Sequence, residues 1–376
     1  MREISVLYDG WDLAYQPNSP AALHLLALLH ALPSELRATV CLPMQAFHSL
    51  PLPVDVVIDP VPDQPSACLG WEQRRLPMQA RRLKVDLVHW LDGGPSLFGS
   101  PANIVSPAGY AFGAERVPGA GASSGFLERL RDALSHGGLA RARALFWPED
   151  LPKPGSGMPV INLPPLSSFW EELDVEMKPA ELSAFLGDQE LPETYILYQG
   201  LTSRREIMGL LESWSWAAGA IGDYYPLWIV GVDESEQPGL KAWIQAHGLG
   251  DTVRLVPPLP LKALAPIYRN CSALFHPGVV SPWDGPLRMA LFFGRPIVAL
   301  ESSRADAIVG PAAYLVPLDG NGRLDRRALG AALVAVIVEE SLAQGLSQAA
   351  RQRALGWSRH NFAVELKRAY QSLLDA

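Results

Sequence analysis

Residues 252–298, TVRLVPPLPLKALAPIYRNCSALFHPGVVSPWDGPLRMALFFGRPIV, carry the clearest structural signal in the chain. Short apolar runs, which are typical of buried strands, alternate in this stretch with segments of helical periodicity. The predicted order is strand, turn, helix, strand, loop, helix, Gly-x-Pro and strand. Strands that alternate with helices in this way indicate βαβ units and a parallel sheet.

The same alternation continues on both sides of that stretch and predicts an α/β protein. Strands are predicted at residues 4–8, 39–42, 54–58, 87–90, 103–106, 144–146, 160–163, 195–199, 227–230, 253–256, 273–275, 297–299 and 314–316. Helices are predicted at residues 21–32, 72–83, 126–136, 206–217, 240–247, 261–269, 286–293, 326–339, 342–355 and 358–374.

The length of the chain and the position of a segment rich in proline and glycine indicate the domain boundaries. A chain of 376 residues is too long for one ordinary core. Residues 148–165 are rich in Pro and Gly, which cannot form a long helix. We therefore predict a first domain over residues 1–165, a second over 166–355, and a C-terminal helix over 356–376 that crosses back to the first. Each domain is expected to be a doubly wound, Rossmann-like sheet, with a ligand cleft between the two.

Composition excludes several classes of protein. The net charge of −8 argues against a general nucleic-acid binder, which would be basic. Three distant cysteines offer neither a zinc motif nor a disulfide framework, so we expect a reducing, cytoplasmic setting. The N-terminus reads as a strand and not as a signal peptide. The longest apolar run, residues 21–32, contains His24 and His30 and is too short to cross a bilayer.

The stretch from Val253 to Val298 resembles, without a gap, the donor-binding half of bacterial retaining glycosyltransferases of family 4, which have the GT-B fold. That family has a Glu, seven residues and a second Glu before a Gly-x-Pro. Ser281 and Met289 stand at the two glutamate positions of this chain. The resemblance implies two domains that face each other and a nucleotide-sugar donor, with no metal ion and no separate cofactor.

The donor diphosphate is expected beside the start of the helix predicted at residues 206–217. Gly200 ends the preceding strand, and Arg204 and Arg205 follow it, where the family has a basic pair. Arginine side chains and free helix N–H groups both bind phosphate. The backbone of Gly285 and Leu287, at the next helix start, is a second candidate contact. A solvated helix cap is the alternative for the two arginines.

The candidate catalytic residues are Ser281, Asp284 and His89. Ser281 is a neutral hydrogen-bonding residue where the family has a glutamate that contacts the transferred sugar. Asp284 offers a carboxylate three residues later, although Asp before Gly-Pro is also a typical helix N-cap, which we favour. The family has a His-Asp pair where this chain has Ser106 and its neighbours, and His89 with Asp92 is a candidate for a partial substitute. The alternative is that a histidine at a strand end, followed by an aspartate in a turn, has no catalytic role. Arg288 is expected on the surface.

Two further sets of residues complete the predicted cleft. Val256, Pro257, Pro258 and Leu259 form a stiff turn at which the family binds its nucleotide base, and the backbone carbonyls are suited to a base edge. Trp11 and Tyr15 are suited to stacking on a sugar ring, with Asp92 beside them. Packing of Trp11 in the core is an equal alternative.

The helix predicted at residues 72–83 carries Arg74, Arg75, Arg81 and Arg82. A basic face of this kind suits peripheral contact with an anionic membrane, and many relatives modify lipid-linked acceptors, although a solvated face is more common.

Two functions follow. The first is a glycosyltransferase of glycan or polysaccharide biosynthesis that transfers a sugar to a glycan or lipid-linked hydroxyl acceptor. The second is a catalytically degenerate relative that binds a sugar, a nucleotide or a partner protein.

Overall fold

The structure, a computed structural model, describes residues 4–44, 54–91, 94–97, 101–108, 126–155, 157–165, 177, 179–186, 189–200, 204–232, 234 and 236–375. The strands are β1 (Ile4–Asp9), β2 (Leu36–Leu42), β3 (Asp55–Ile58), β4 (Leu87–Trp90), β5 (Ala102–Val105), β6 (Ala144–Pro148), β7 (Val160–Leu163), β8 (Ile196–Gln199), β9 (Leu227–Val230), β10 (Val253–Val256), β11 (Ala273–His276), β12 (Ile297–Leu300) and β13 (Ala313–Val316).

Helices flank these strands along the whole chain. They are α1 (Trp11–Tyr15), α2 (Pro20–His30), α3 (Pro65–Gly70), α4 (Leu76–Leu83), α5 (Phe126–Leu139), α6 (Pro179–Leu186), α7 (Arg204–Ile221), α8 (Gln237–Ala246), α9 (Leu261–Asn270), α10 (Gly285–Phe292), α11 (Ser303–Val309), α12 (Arg326–Val338), α13 (Glu340–Ala354) and α14 (Arg359–Asp375). A π-helical turn, Trp71–Arg75, joins α3 to α4, and a 3₁₀ turn, Gly310–Ala312, follows α11.

The strands form two sheets, which confirms the predicted α/β class with two doubly wound, Rossmann-like domains. The first sheet has seven strands in the order β3-β2-β1-β4-β5-β6-β7, and the second has six in the order β10-β9-β8-β11-β12-β13. Every pairing between the described strands is parallel. The strand order reverses between β1 and β4 in one sheet and between β8 and β11 in the other, which are the places where such folds bind ligands.

Some local predictions differ from the structure. The segment after β1 contains α1, a short helix that was not predicted, in which Trp11 and Leu13 are buried. The helix expected at residues 72–83 begins earlier, at Pro65, and passes through the π-helical turn. Residues 303–309 form a helix that the sequence analysis did not predict. There Ser302 caps the N-terminus by accepting a hydrogen bond from the Ala305 N–H group.

Helix α14 packs on the first domain, although it follows the second domain in the chain. The Tyr370 hydroxyl lies 2.7 Å from the Tyr8 hydroxyl and 2.6 Å from Nδ1 of His89. Arg143 donates a hydrogen bond to the carbonyl of Leu373. All of these groups except the Arg143 side chain lie deep in the core, so the helix completes the first domain and does not merely cover it.

No single described helix is both long and apolar enough to span a bilayer. Helices α12 and α13 pass such a test only as a pair, and the chain bends by 93° between them.

We expect Tyr370→Phe to lower the free energy of unfolding by about 1–3 kcal/mol, because it removes the hydroxyl that partners two buried polar groups. Urea denaturation followed by circular dichroism measures this change. The matched control is Tyr224→Phe, since Tyr224 is 77% exposed. Equal stability of the two variants would show that the Tyr370 hydroxyl is not part of the core.

Candidate functional site

The carboxyl ends of the two sheets face each other, and the elements that follow the strands make up the joint between the domains. Strand β8 ends at Gln199 and β11 at His276, and both side chains are buried. The Gln199 side chain accepts a hydrogen bond of 2.7 Å from the Tyr268 hydroxyl and donates one of 3.4 Å to the carbonyl of Asn18 in the first domain. The joint therefore lies directly over the point where the second sheet reverses its strand order.

The predicted phosphate site begins at Gly200, which directly follows β8. A side chain at this position would lie tightly against the ring and hydroxyl of Tyr198, with its Cβ 3.0 Å from the hydroxyl oxygen, so the tyrosine would have to shift by a few tenths of an ångström. Helix α7 then starts at Arg204. The side chains of Arg204 and Arg205 lie outside the part of the chain that the structure describes, so their contact with phosphate stays a prediction.

Asp284 is the N-cap of α10. Its carboxylate accepts hydrogen bonds from the backbone N–H groups of Leu287, at 3.0 Å, and Ser281, at 3.2 Å. The side chain is fully buried. Of the two interpretations of Asp284, the structure thus shows the cap, and the cap takes the Leu287 N–H group that was predicted to contact phosphate.

Ser281 connects the α10 loop to the first domain. Its hydroxyl donates a hydrogen bond to the carbonyl of Ala108, and the residue is fully buried. Met289, at the other position where the family has a glutamate, is also fully buried, within the apolar core. A serine at position 281 therefore serves a domain contact in this structure.

Gly285 allows helix α2 of the first domain to approach the start of α10. A Cβ atom at this position would lie 3.0 Å from Cδ1 and 3.3 Å from Cβ of Leu23. Helix α2 begins where Ser19 accepts a hydrogen bond from the Ala22 N–H group and Pro20 occupies the first helical position. The N-terminus of α10 therefore faces an apolar side chain of the other domain.

Arg288 is buried, so the prediction that it lies on the surface is wrong. Its guanidinium donates two hydrogen bonds to the carboxylate of Asp150, at 2.7 and 3.0 Å, and lies 5.8 Å from the ring of Trp357. Asp150 follows β6, so this ion pair joins the two domains. The sequence around Arg288 does not predict this ion pair, because Asp150 is 138 residues away in the chain.

Three aromatic side chains in the joint carry buried nitrogens with no hydrogen-bond partner among the described residues. The nitrogens concerned are Nδ1 and Nε2 of His276, Nε2 of His24 and Nε1 of Trp283. The rings of His24 and Trp283 stack with their centroids 4.3 Å apart, and Nε2 of His276 lies 3.7 Å from the Asp284 carboxylate. Burial, together with the nearby charge of Arg288, lowers the pKa of His24 well below its usual value. Sequence reasoning gave His24 and Trp283 no role here. The one signal was a histidine inside an otherwise apolar helix.

The predicted base-binding turn is held by the first domain. The Asn18 amide nitrogen donates to the carbonyl of Leu259 at 2.8 Å, and the Leu259 N–H group donates to the Asn18 side-chain oxygen at 2.9 Å. Asn18 and Leu259 are buried, and Val256 is fully buried at the end of β10. Pro257 and Pro258 are half-buried.

His89 lies inside the first domain with both ring nitrogens in hydrogen bonds. Nε2 lies 2.7 Å from the Ser106 hydroxyl, and Nδ1 binds Tyr370 as described above. Burial lowers the pKa of His89 to about 3. The imidazole is therefore neutral near pH 7, and in this structure it orients two hydroxyl groups. Its predicted companion Asp92 lies outside the described residues.

The aromatic residues predicted to stack on a sugar pack against protein instead. Trp11 is buried, with its ring centroid 4.9 Å from that of Tyr15 and 5.9 Å from that of Trp71. The Tyr15 hydroxyl donates to the carbonyl of Val61. The core interpretation of Trp11 is therefore the one that the structure shows.

Within the described part of the chain, no three His, Cys, Asp or Glu side chains lie close enough together to hold a metal ion.

Comparison with solved structures shows which known architecture this is. Sucrose-phosphate synthase from Thermosynechococcus elongatus aligns over 99% of both chains with a TM-score of 0.71 and 16% identity. WaaG, a glycosyltransferase involved in lipopolysaccharide biosynthesis, aligns over 99% of this chain and 100% of its own, with a TM-score of 0.69 and 14% identity. The fold is GT-B. HepE from Anabaena, crystallised with UDP and glucose, covers 98% of this chain with a TM-score of 0.65 and 12% identity. No protein-family model and no curated protein sequence matches the chain.

We expect Asp150→Ala to lower the free energy of unfolding by about 3–5 kcal/mol, because it leaves the buried Arg288 guanidinium without its counter-charge. The double variant Asp150→Ala, Arg288→Met is expected to be more stable than Asp150→Ala alone. Urea denaturation measures both. Glu212→Ala breaks the exposed pair with Arg326 and serves as the control, with an expected loss below about 1 kcal/mol. Similar losses in the free energy of unfolding for Asp150→Ala and Glu212→Ala would show that the buried Asp150–Arg288 ion pair does not stabilise the protein.

The low pKa of His89 predicts a dependence of stability on pH. Because the folded pKa of about 3 lies below the ordinary value of 6.5, the unfolded chain binds the extra proton between these values. The contribution of His89 to the free energy of unfolding is therefore fully present above pH 6.5. As the pH falls toward 3, this contribution decreases by up to about 1.4 kcal/mol per pH unit. Urea denaturation between pH 7 and 4 should show a smaller slope for His89→Gln than for the parent. Parallel slopes would contradict this assignment.

Proposed function

We propose that the chain is a glycosyltransferase that transfers a hexose-type sugar from a nucleotide-sugar donor to a hydroxyl group, with retention of configuration and without a metal ion. The observation that carries this proposal is the position of the α7 N-terminus. It follows Gly200 at the end of β8, one of the two strands between which the second sheet reverses its order. A helix start at this point, with Arg204 and Arg205 in its first turn, is suited to a diphosphate.

The reaction requires stabilisation of negative charge on the leaving group. The bond between the anomeric carbon and the phosphate oxygen breaks, and the acceptor oxygen bonds to that carbon. The acceptor hydroxyl passes its proton to the departing phosphate oxygen. Arg204, Arg205 and the N–H groups at the start of α7 would stabilise the departing diphosphate. The nucleotide sugar is a substrate in this scheme, and we propose no separate cofactor.

The sugar would lie near the α10 loop, where Ser281 and Asp284 supply the polar groups nearest to the replaced glutamates. In the present structure both residues serve the joint between the domains. We propose that donor binding separates the domains far enough to release them, with Ser281 freed from Ala108. His89 would act as a neutral hydrogen-bonding residue at the end of β4, in keeping with its low pKa.

A glycan or a lipid-linked saccharide is the acceptor that we propose, at the cytoplasmic face of a membrane. Helix α4 supports this choice, because it exposes Met78 and Leu83 beside the basic residues Arg81, Arg82 and Lys84. Such a surface suits contact with anionic lipid headgroups.

A second candidate is a catalytically degenerate subunit that serves as a scaffold or binds a partner protein. The specific observation in its favour is the Asp284 cap, which occupies the Leu287 N–H group that was predicted as a second contact for phosphate. Each carboxylate–hydroxyl contact that Ser281 and Met289 cannot make forfeits about 1.5–3 kcal/mol of binding.

Isothermal titration with UDP, GDP, ADP and the corresponding nucleotide sugars separates the two candidates. We expect saturable binding of one nucleotide to the parent chain. Arg204→Ala and Arg205→Ala should each weaken it roughly 10- to 100-fold, since each removes a charge-assisted contact to phosphate. Arg82→Ala is the matched control, since Arg82 lies on the exposed face of α4 in the first domain, and should bind like the parent.

Each other result has a distinct meaning. Unchanged affinity in both site variants would place the nucleotide elsewhere on the protein. If no nucleotide binds at millimolar concentration, the transferase proposal is wrong and the degenerate subunit is supported. Where a nucleotide binds, release of free nucleoside diphosphate from its sugar in the presence of candidate acceptors measures turnover.

A further inference from the structure

Asn18 makes a reciprocal pair of hydrogen bonds with one backbone unit of the other domain. It lies between α1 and α2, and its carboxamide binds both the carbonyl and the N–H group of Leu259, at 2.8 and 2.9 Å. The two partners are 241 residues apart in the chain. Because Asn18 is only 7% exposed and Leu259 only 3%, the pair is shielded from water.

Among residues 257–260, Leu259 alone has a backbone N–H group to donate. Its neighbours Pro257, Pro258 and Pro260 have no N–H group. Any ligand that binds this turn through a backbone donor must therefore use the N–H group of Leu259, and the Leu259 carbonyl is an acceptor of the same residue. Asn18 already occupies both.

A carboxamide presents a donor and an acceptor side by side, as every nucleobase does on its hydrogen-bonding edge. We propose that the Asn18 side chain occupies the nucleobase position in the donor-free protein, and that the base of a nucleotide sugar binds by displacing it. This inference rests on the proposed function and adds a means of regulating the same site.

The segment that carries Asn18 also covers the other two predicted parts of the donor site. Leu23 packs against Gly285 at the N-terminus of α10, where phosphate was predicted. His24 stacks on Trp283, in the loop that carries Ser281 and Asp284. One continuous segment, from Asn18 through the first turns of α2, thus contacts the predicted base, phosphate and sugar positions together.

Displacement of Asn18 would have effects beyond the base position. The Asn18 carbonyl also accepts a hydrogen bond from Gln199, at the end of β8, and the next residue, Ser19, caps α2. A nucleobase that replaced the side chain would therefore loosen the first turn of α2 from the second domain. Base binding and opening of the domain joint are coupled in this arrangement.

This coupling weakens the apparent affinity of the protein for the nucleotide. When only a fraction of the protein is in the open form, the apparent dissociation constant rises by the reciprocal of that fraction. Removal of the Asn18 carboxamide enlarges the open fraction, so it should tighten nucleotide binding. An ordinary binding residue behaves in the opposite way, since its removal weakens binding.

The test compares the parent with Asn18→Ala and Asn18→Asp, and with Asn270→Ala as the control. Asn270 is an exposed asparagine at the end of α9. Asn18→Asp keeps the size of the side chain but places a carboxylate against the Leu259 carbonyl, so it provides a second variant should Asn18→Ala fail to fold. Isothermal titration with UDP, GDP and ADP gives the affinities.

Hydrogen exchange gives a second readout that does not need a nucleotide. A peptide that covers residues 257–260 reports on the Leu259 amide alone among these four residues. Without nucleotide, we expect this amide to exchange at least roughly 10-fold faster in Asn18→Ala than in the parent. The bound nucleotide should restore its protection, and its affinity should be roughly 5- to 10-fold higher in Asn18→Ala.

Each remaining outcome overturns the inference in a distinguishable way. If a nucleotide binds the parent and Asn18→Ala equally, or binds without protecting Leu259, Asn18 does not compete with the base and the proposed function still stands. Unchanged exchange at Leu259 in both Asn18 variants shows that the pair does not control this turn. Rapid exchange in Asn18→Ala together with no binding of any nucleotide identifies a permanent domain joint, and the transferase function falls with the inference.

Discussion

The capping of α10 by Asp284 is the interaction on which the arrangement between the two domains depends. A buried carboxylate is costly unless its oxygens are hydrogen-bonded, and here the backbone of Ser281 and Leu287 supplies the donors. The cap fixes the loop before α10 and the direction of the helix itself. As a result, Ser281 meets Ala108, Trp283 meets His24 and Arg288 meets Asp150. Every one of these contacts crosses from the second domain to the first.

The joint between the domains also explains why the contacts at the predicted donor site differ from those expected from the fold. The architecture is the GT-B fold, yet the polar groups at the predicted donor position bind the protein itself. Buried polar groups require hydrogen-bond partners. When no substrate is bound, water molecules or groups of the opposite domain can be those partners. In this chain the opposite domain supplies the partner for Ser281 and Leu259, whereas His276, Trp283 and His24 have nitrogens with no hydrogen-bond partner among the described residues. Those nitrogens mark the part of the joint that is least complete.

The sequence predicted the layers of the fold well because its signals are local. Apolar runs bounded by proline and glycine located all thirteen of the described strands, and Asp before Gly-Pro pointed to the N-cap that the structure contains. The contents of the candidate site were harder to predict, since they depend on partners far apart in the chain. Asn18 finds Leu259 over 241 residues, and His89 finds Tyr370 over 281. No periodicity or propensity encodes such pairs, and Arg288 was misplaced for the same reason. The turn at Leu259 was identified, but the residue that occupies it was not.

The position of α14 has a consequence for how the chain is made. Tyr8 and His89 leave the ribosome before the second domain does, and their shared partner, Tyr370, leaves after it. Phe362 and Leu366, on the same helix, belong to the same apolar core. During synthesis the first domain must therefore wait, with polar groups and apolar surface uncovered, while the whole second domain is translated. A chaperone that shields nascent chains would therefore have a target in the first domain for as long as the second domain is being translated.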